Sequence, residues 1–192
     1  KLDGFGYGRA IQSPNINLNG PVTVEAWVYP TSFGPGEQFI IRKGADYSIS
    51  LTSTGFVNYY FGAVGGSNKA IPLNQWTHIA IKCEPNGTGT LYLNGTVNTV
   101  YSFGTRPAVG LDTLLIGTHS NGGMRYKGYI DAVKISNYAK SQDEVRKDMY
   151  SMVDASNIPP QPRSTVSYDF EFQSWSSTSN ASTCDLMGSA VY

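Results

Sequence analysis

Apolar and polar residues alternate strictly along three stretches of this chain: Val22–Pro30 and residues 76–97 and 128–145. A period of two places alternate side chains on opposite faces of a strand, so each stretch predicts a strand or a hairpin. In the first, Val22, Val24, Ala26 and Val28 point one way, and Thr23, Glu25 and Trp27 the other. In the second, Thr77, Ile79 and Ile81 share a face, leaving Trp76, His78 and Lys82 opposite. Asn94-Gly95 sits between alternating runs, where a two-residue type I′ turn needs positive φ at both central positions. Shorter strands are expected at residues 39–41, 47–51, 56–61 and 114–117, with a glycine-rich loop over 62–68. One short surface helix is expected after Ser141, which forms a capping box with Glu144, with Val145 and Met149 as its apolar stripe.

A proline-bearing run at 156–164 reads as an extended linker. Beyond it, Tyr168, Phe170 and Phe172 alternate as in a strand, and with Trp175 they are too apolar for a segment that stays solvated. The chain thus divides into a sandwich domain over 1–155, the linker, and a tail over 165–192 that carries a strand.

Composition narrows the class of function. Charged residues make up 15% of the 192, against roughly 25% in an ordinary soluble domain, and the formal net charge is zero. Nothing in that balance draws the chain to nucleic acid or to an anionic membrane, and no apolar run approaches the ~18 residues of a membrane span. Ser, Thr, Asn, Gly and Tyr must dress the surface, as is common on secreted, surface-displayed and virion proteins. The first residue is Lys1 with no signal-like segment after it, as in a mature fragment or an excised domain. Two cysteines, Cys83 and Cys184, make neither a zinc site nor a disulfide framework; paired and reduced states both remain open. Asn86, Asn94 and Asn180 each open a glycosylation sequon, although the turn already accounts for Asn94.

The segments "VTVEAWVYP", "WTHIAIK…GTLYLNGTV" and "GYIDAVKISNYAKSQDEV" together resemble the signature of laminin-G-like domains of the concanavalin A-like lectin/glucanase superfamily. The resemblance implies an all-β fold: a two-sheet antiparallel jelly-roll sandwich with one short C-terminal helix and an extended tail. It also implies a displaced element. The aromatic segment that usually precedes "LDG" stands here at the C-terminus, where it can return to its own sandwich, cross to a neighbour, or open a following repeat. A structural calcium ion is implied too, with Asp131 and Glu171 at the matching positions. Plain alternation supports a special role for Asp131, since it falls on the face of Val133 and Ile135, where an unpaired carboxylate is costly. Calcium and a buried hydrogen bond to loop amides both answer that anomaly.

Two surfaces carry candidate ligand-binding residues. Trp27 and Trp76 share an outer sheet face with Glu25 and His78, and indole faces beside polar groups suit sugar rings. The loop over 117–128 brings His119, Asn121, Arg125 and Tyr126 to the rim, with Tyr59 and Tyr47 on nearby strands. The alternative for each is ordinary structural work in the sandwich or a solvated loop. No close pair of acids is placed on one strand as a glycosidase requires, and no nucleophilic triad is spaced for catalysis. The expected function is a non-catalytic recognition module on an extracellular or surface protein, binding glycan. The alternative is a structural subunit of a virion, fibre or filament that packs against neighbouring protein domains, with strand exchange between subunits.

Overall fold

The computed structural model describes residues 2–10, 16–104, 110–151, 165–168 and 184–187. The strands are β1 (Leu2–Asp3), β2 (Tyr7–Ala10), β3 (Val22–Pro30), β4 (Gln38–Lys43), β5 (Tyr47–Leu51), β6 (Phe56–Tyr60), β7 (Val64–Ala70), β8 (Thr77–Cys83), β9 (Thr88–Leu93), β10 (Thr96–Ser102), β11 (Leu114–Ile116), β12 (Lys127–Ser136), β13 (Thr165–Tyr168) and β14 (Cys184–Met187), with one helix, α1 (Gln142–Tyr150). The first sheet runs β1-β12-β3-β8-β9-β10, with β13 also paired to β12; the second runs β14-β2-β11-β4-β5-β6-β7. Every strand pairing within the two sheets is antiparallel, and together they form the expected jelly-roll sandwich.

Alternation builds the core. Val22, Val24, Ala26 and Val28 of β3 and Ile79 and Ile81 of β8 are wholly buried, facing Ile41, Ile49, Tyr59 and Ile116 of the second sheet. At the β9–β10 turn, Asn94 and Gly95 adopt φ of 50° and 69°, the left-handed pair that the type I′ turn demands. The Asn94 side chain also accepts from His78 N at 2.9 Å, locking the turn to the neighbouring strand. Ser141 caps α1 in a complete capping box with Glu144.

The glycine-rich segment departs from the loop expected over 62–68, because it forms β7. A Cβ on Gly65 would lie 2.6 Å from the Tyr59 ring, so glycine here makes room for a tyrosine beneath an edge strand. That edge is tied across the sandwich, where Asn68 and Asn98 exchange hydrogen bonds between β7 and β10 and Thr99 Oγ1 donates to Gly66 O.

In the tail, Thr165–Tyr168 pairs with Val133–Ser136 on the outer edge of β12 in the same chain, and Cys184–Met187 pairs with β2 of the second sheet. Phe170, Phe172 and Trp175 lie outside the described residues. Both tail strands supply backbone partners to sheet edges that would otherwise be open. Deleting residues 165–192 should therefore produce concentration-dependent self-association in light scattering. A truncated chain that stays monodisperse would contradict this edge-covering role. Among the described residues no helix is long and apolar enough to cross a membrane.

Candidate functional site

Rim-loop side chains bond within the loop itself, Asn121 while still exposed and His119 and Arg125 while half-buried. Between β11 and β12, Asn121 Oδ1 accepts from Gly123 N at 2.9 Å, His119 Nδ1 accepts from Asn121 N at 3.3 Å, and the His119 ring packs edge-on to Phe39 at 5.1 Å. Arg125 donates from Nε to Gly122 O at 2.6 Å and from Nη1 to Phe5 O, with its guanidinium 5.7 Å from the centre of the Tyr7 ring. These groups are the donors and acceptors that sequence reasoning offered to a ligand.

Tyr126 corrects that reading outright. It is wholly buried, and its hydroxyl turns to the backbone, donating to Tyr129 O at 3.4 Å. Gly128, at φ +147°, admits the ring: a Cβ there would meet it at 3.0 Å and Tyr29 O at 2.1 Å. Tyr59 is corrected in the same way, being packed in the core beside Phe61 and Phe103, as is Tyr47. Burial leaves none of these rings a surface on which a ligand could lie.

The outer face of the first sheet divides in two. Over one half lies α1, so Thr23 and Glu25, on the outward parity of β3, are nevertheless buried. Lys140, entering the helix, donates to Glu25 Oε1 at 2.5 Å and also to Asp148 of α1, while Lys134 of β12 reaches Asp148 at 3.3 Å. His78 Nε2 stands 3.6 Å from Glu25 Oε2. Burial pushes the Glu25 carboxyl up to about 7 against the pull of Lys140. Burial also lowers the His78 imidazole to about 4, reinforced by Lys134. Asp148, although burial raises it, is held below the usual carboxylate range by Lys140 and Lys134. This network clasps the helix to the sheet.

The other half of the face is open and aromatic. Trp27 and Tyr29 are half-buried on β3, while Trp76 is 45% and Tyr129 38% exposed. Tyr29 lies 5.5 Å from both Trp76 and Tyr129, and these two are 6.3 Å apart, with interplanar angles of 62°, 89° and 54°. Trp27 packs against the His78 ring at 5.3 Å, next to the clasp. Both tryptophans named from the sequence therefore join one surface. Tyr29 and Tyr129 were missed: Tyr29 shares the outward parity of Trp27 on β3, a signal that could have found it, whereas plain alternation puts Tyr129 on the face of Val133, and only the irregularity in β12 brings it out.

Asp131 belongs to the same surface, contrary to the alternation that placed it on the core side. Between Asp131 and Lys134 the register of β12 against β3 shifts by a β-bulge, and Ala132 takes φ +48°, a left-handed value unusual for a non-glycine residue. Asp131 consequently pairs across from Trp27, and Val133 turns into the core. One carboxylate oxygen accepts from Ala132 N at 2.7 Å.

The burial argument for calcium falls away, since Asp131 is half-buried on the outer face rather than enclosed in the core. Glu171, its expected partner, lies outside the described residues. Calcium takes about six to eight oxygens, and among the described residues no group of three or more His, Cys, Asp or Glu side chains is placed to hold a metal.

Comparison with known proteins agrees with the fold. No curated protein sequence matches the chain. A Bacteroides ovatus "putative carbohydrate binding protein" superposes with a TM-score of 0.65 at 17% identity, over 77% of this chain and 45% of that one. A heptameric SAP-like pentraxin from Limulus polyphemus gives 0.61 at 16% identity, over 96% and 89%. Botulinum neurotoxin type C, whose cell entry depends on two ganglioside molecules, gives 0.54 at 11% identity, over 78% and 44%. The chain thus spans less than half of the first and third of these structures. A laminin-G-like family model matches residues 5–146, and the chain belongs to the concanavalin A-like lectin/glucanases superfamily.

Proposed function

We propose that this domain is a non-catalytic glycan-binding module of an extracellular or surface protein, and that the open half of the first sheet's outer face receives the sugar. The observation that carries the reading is the β-bulge that turns Asp131 toward Trp27 on the aromatic face. Bulges recur where a strand must re-aim a side chain, and backbone strain collects where function requires it. The result is a carboxylate with one oxygen held by its own strand and the other left for hydroxyl groups, beside rings that suit the apolar face of a pyranose. Four aromatic side chains grouped on a poorly charged surface also differ from the scattered apolar residues of an ordinary exterior. Lectin-like neighbours that bind carbohydrate or ganglioside support the same class of ligand.

Screening the whole chain on a glycan array should identify binders, and calorimetry should rank the variants. Trp76→Ala and Asp131→Asn should each weaken binding roughly tenfold or more while leaving the melting temperature in place. Binding untouched by both substitutions would remove this face from the proposal.

One observation favours the assembly reading as a second. The edge strands β7 and β10 expose Val64 at 60%, Val100 at 61% and Tyr101 at 47%, and β10 carries no charge to discourage pairing. Absence of any glycan ligand, together with self-association relieved by Val100→Lys, would transfer the proposal to that edge.

A further inference from the structure

The second sheet has its own outer face, and its centre is a polar trough. On β5 the outward residues are Ser48 and Ser50; the side chains that flank them are larger, Phe39 and Arg42 on β4 and Asn58 and Tyr60 on β6. Two serines therefore make a floor enclosed by larger neighbours, with Ser48 5% and Ser50 2% exposed. Glu37 closes one end, where a single carboxylate oxygen accepts from Ser50 Oγ at 2.6 Å and from Asn58 Nδ2 at 3.2 Å. At the other end Arg42 faces Tyr60 across Ser48.

Arg42 is the unusual group. Its guanidinium rests over Phe39, 5.2 Å from the ring centre, and the His119 ring packs edge-on to the same phenylalanine. Half-buried, it has no carboxylate partner among the described residues, and its Nε is buried with no acceptor. Every other lysine or arginine drawn into the described interior has an acceptor: Lys43 has Asp46, Lys134 has Asp148, and Lys140 has Glu25 and Asp148. A buried donor left unmade is costly, and a guanidinium fork matches a planar carboxylate through two parallel bonds.

The geometry points to this trough as a second binding site, for a saccharide residue that carries a carboxylate. Its acid group pairs with the Arg42 fork. Its ring and hydroxyls lie along Ser48 toward Tyr60 and Asn58. The site is on the opposite sheet from the aromatic face, shares no residue with it, and stands whether or not that face binds sugar.

The experiment titrates the full chain with glucuronate, with glucose as its neutral counterpart and with acetate as a carboxylate without a sugar body. Glucuronate should bind roughly tenfold or more tightly than either. Arg42→Gln should erase the advantage over glucose without shifting the melt, Arg42→Lys should restore only part of it because a point charge lacks the fork, and Trp76→Ala should leave it intact. Acetate binding as well as glucuronate would reduce the site to an anion site and overturn the saccharide assignment. Equal affinity for glucuronate and glucose, or a preference that survives Arg42→Gln, would overturn the proposal altogether.

Discussion

Replacing Lys140 with Met should destabilise the domain by about 3–5 kcal/mol, the usual consequence of leaving a buried charge without its partner. Glu25 is enclosed beneath α1, and Lys140 is the only cation that touches it among the described residues. Asp148 would lose the same partner and keep only Lys134. The double variant Lys140→Met with Glu25→Gln should recover most of the loss, because the uncompensated carboxylate goes too. Urea melts of the two single variants and the double one decide it. Losses that simply add, or a single-variant loss below about 1 kcal/mol, would show that the clasp does not hold the helix.

The clasp also has a pH signature with two opposed parts. Glu25 titrates higher in the folded chain, at about 7 rather than 4.5, so its contribution is fully present below 4.5 and is lost as pH rises toward 7. His78 titrates lower, at about 4 rather than 6.5, so its contribution is present above 6.5 and is lost as pH falls toward 4. Over the same window the two slopes oppose each other. Glu25→Gln should expose the histidine slope, making the protein less stable in acid, and His78→Gln should expose the reverse.

Tyr126→Ala should be nearly as severe, at about 3–5 kcal/mol, the range for truncating a buried aromatic ring. The contrast with the rim-loop reading is direct, since a ligand-contacting tyrosine would lose binding and keep its melt. Tyr126→Phe should cost much less, because it keeps the buried ring and gives up only the hydroxyl's backbone hydrogen bonds, about 1 kcal/mol each. If Tyr126→Ala melts with the parent protein, the ring does not pack as described.

What could be read from the chain was local. Alternation identified the inward residues of β3 and β8, Asn94-Gly95 marked its hairpin, and Ser141 with Glu144 marked the start of the helix. What could not be read depended on distant partners. Thr23 and Glu25 are buried only because α1 returns over a strand more than a hundred residues earlier in the chain. Ala132 has no glycine-like mark to announce its left-handed backbone, so one unseen extra residue reversed the face assigned to Asp131. The glycines of β7 looked like a loop because the tyrosine that needs them lies on another strand. Of the candidate ligand residues, Trp27 and Trp76 belong to one surface with Asp131, while the rim loop engages its own polar groups. Glu171, paired with Asp131 only by resemblance, falls outside the described residues.

The bulge at Ala132 also separates two kinds of inheritance. Beyond it, β12 keeps Val133 and Ile135 facing inward to match β3, whatever stands at positions 129 and 131. Substitutions at Tyr29, Trp76, Tyr129 and Asp131 can therefore accumulate with little penalty to folding. A lineage built on this scaffold can remodel that single face by drift, without rebuilding the sandwich that presents it.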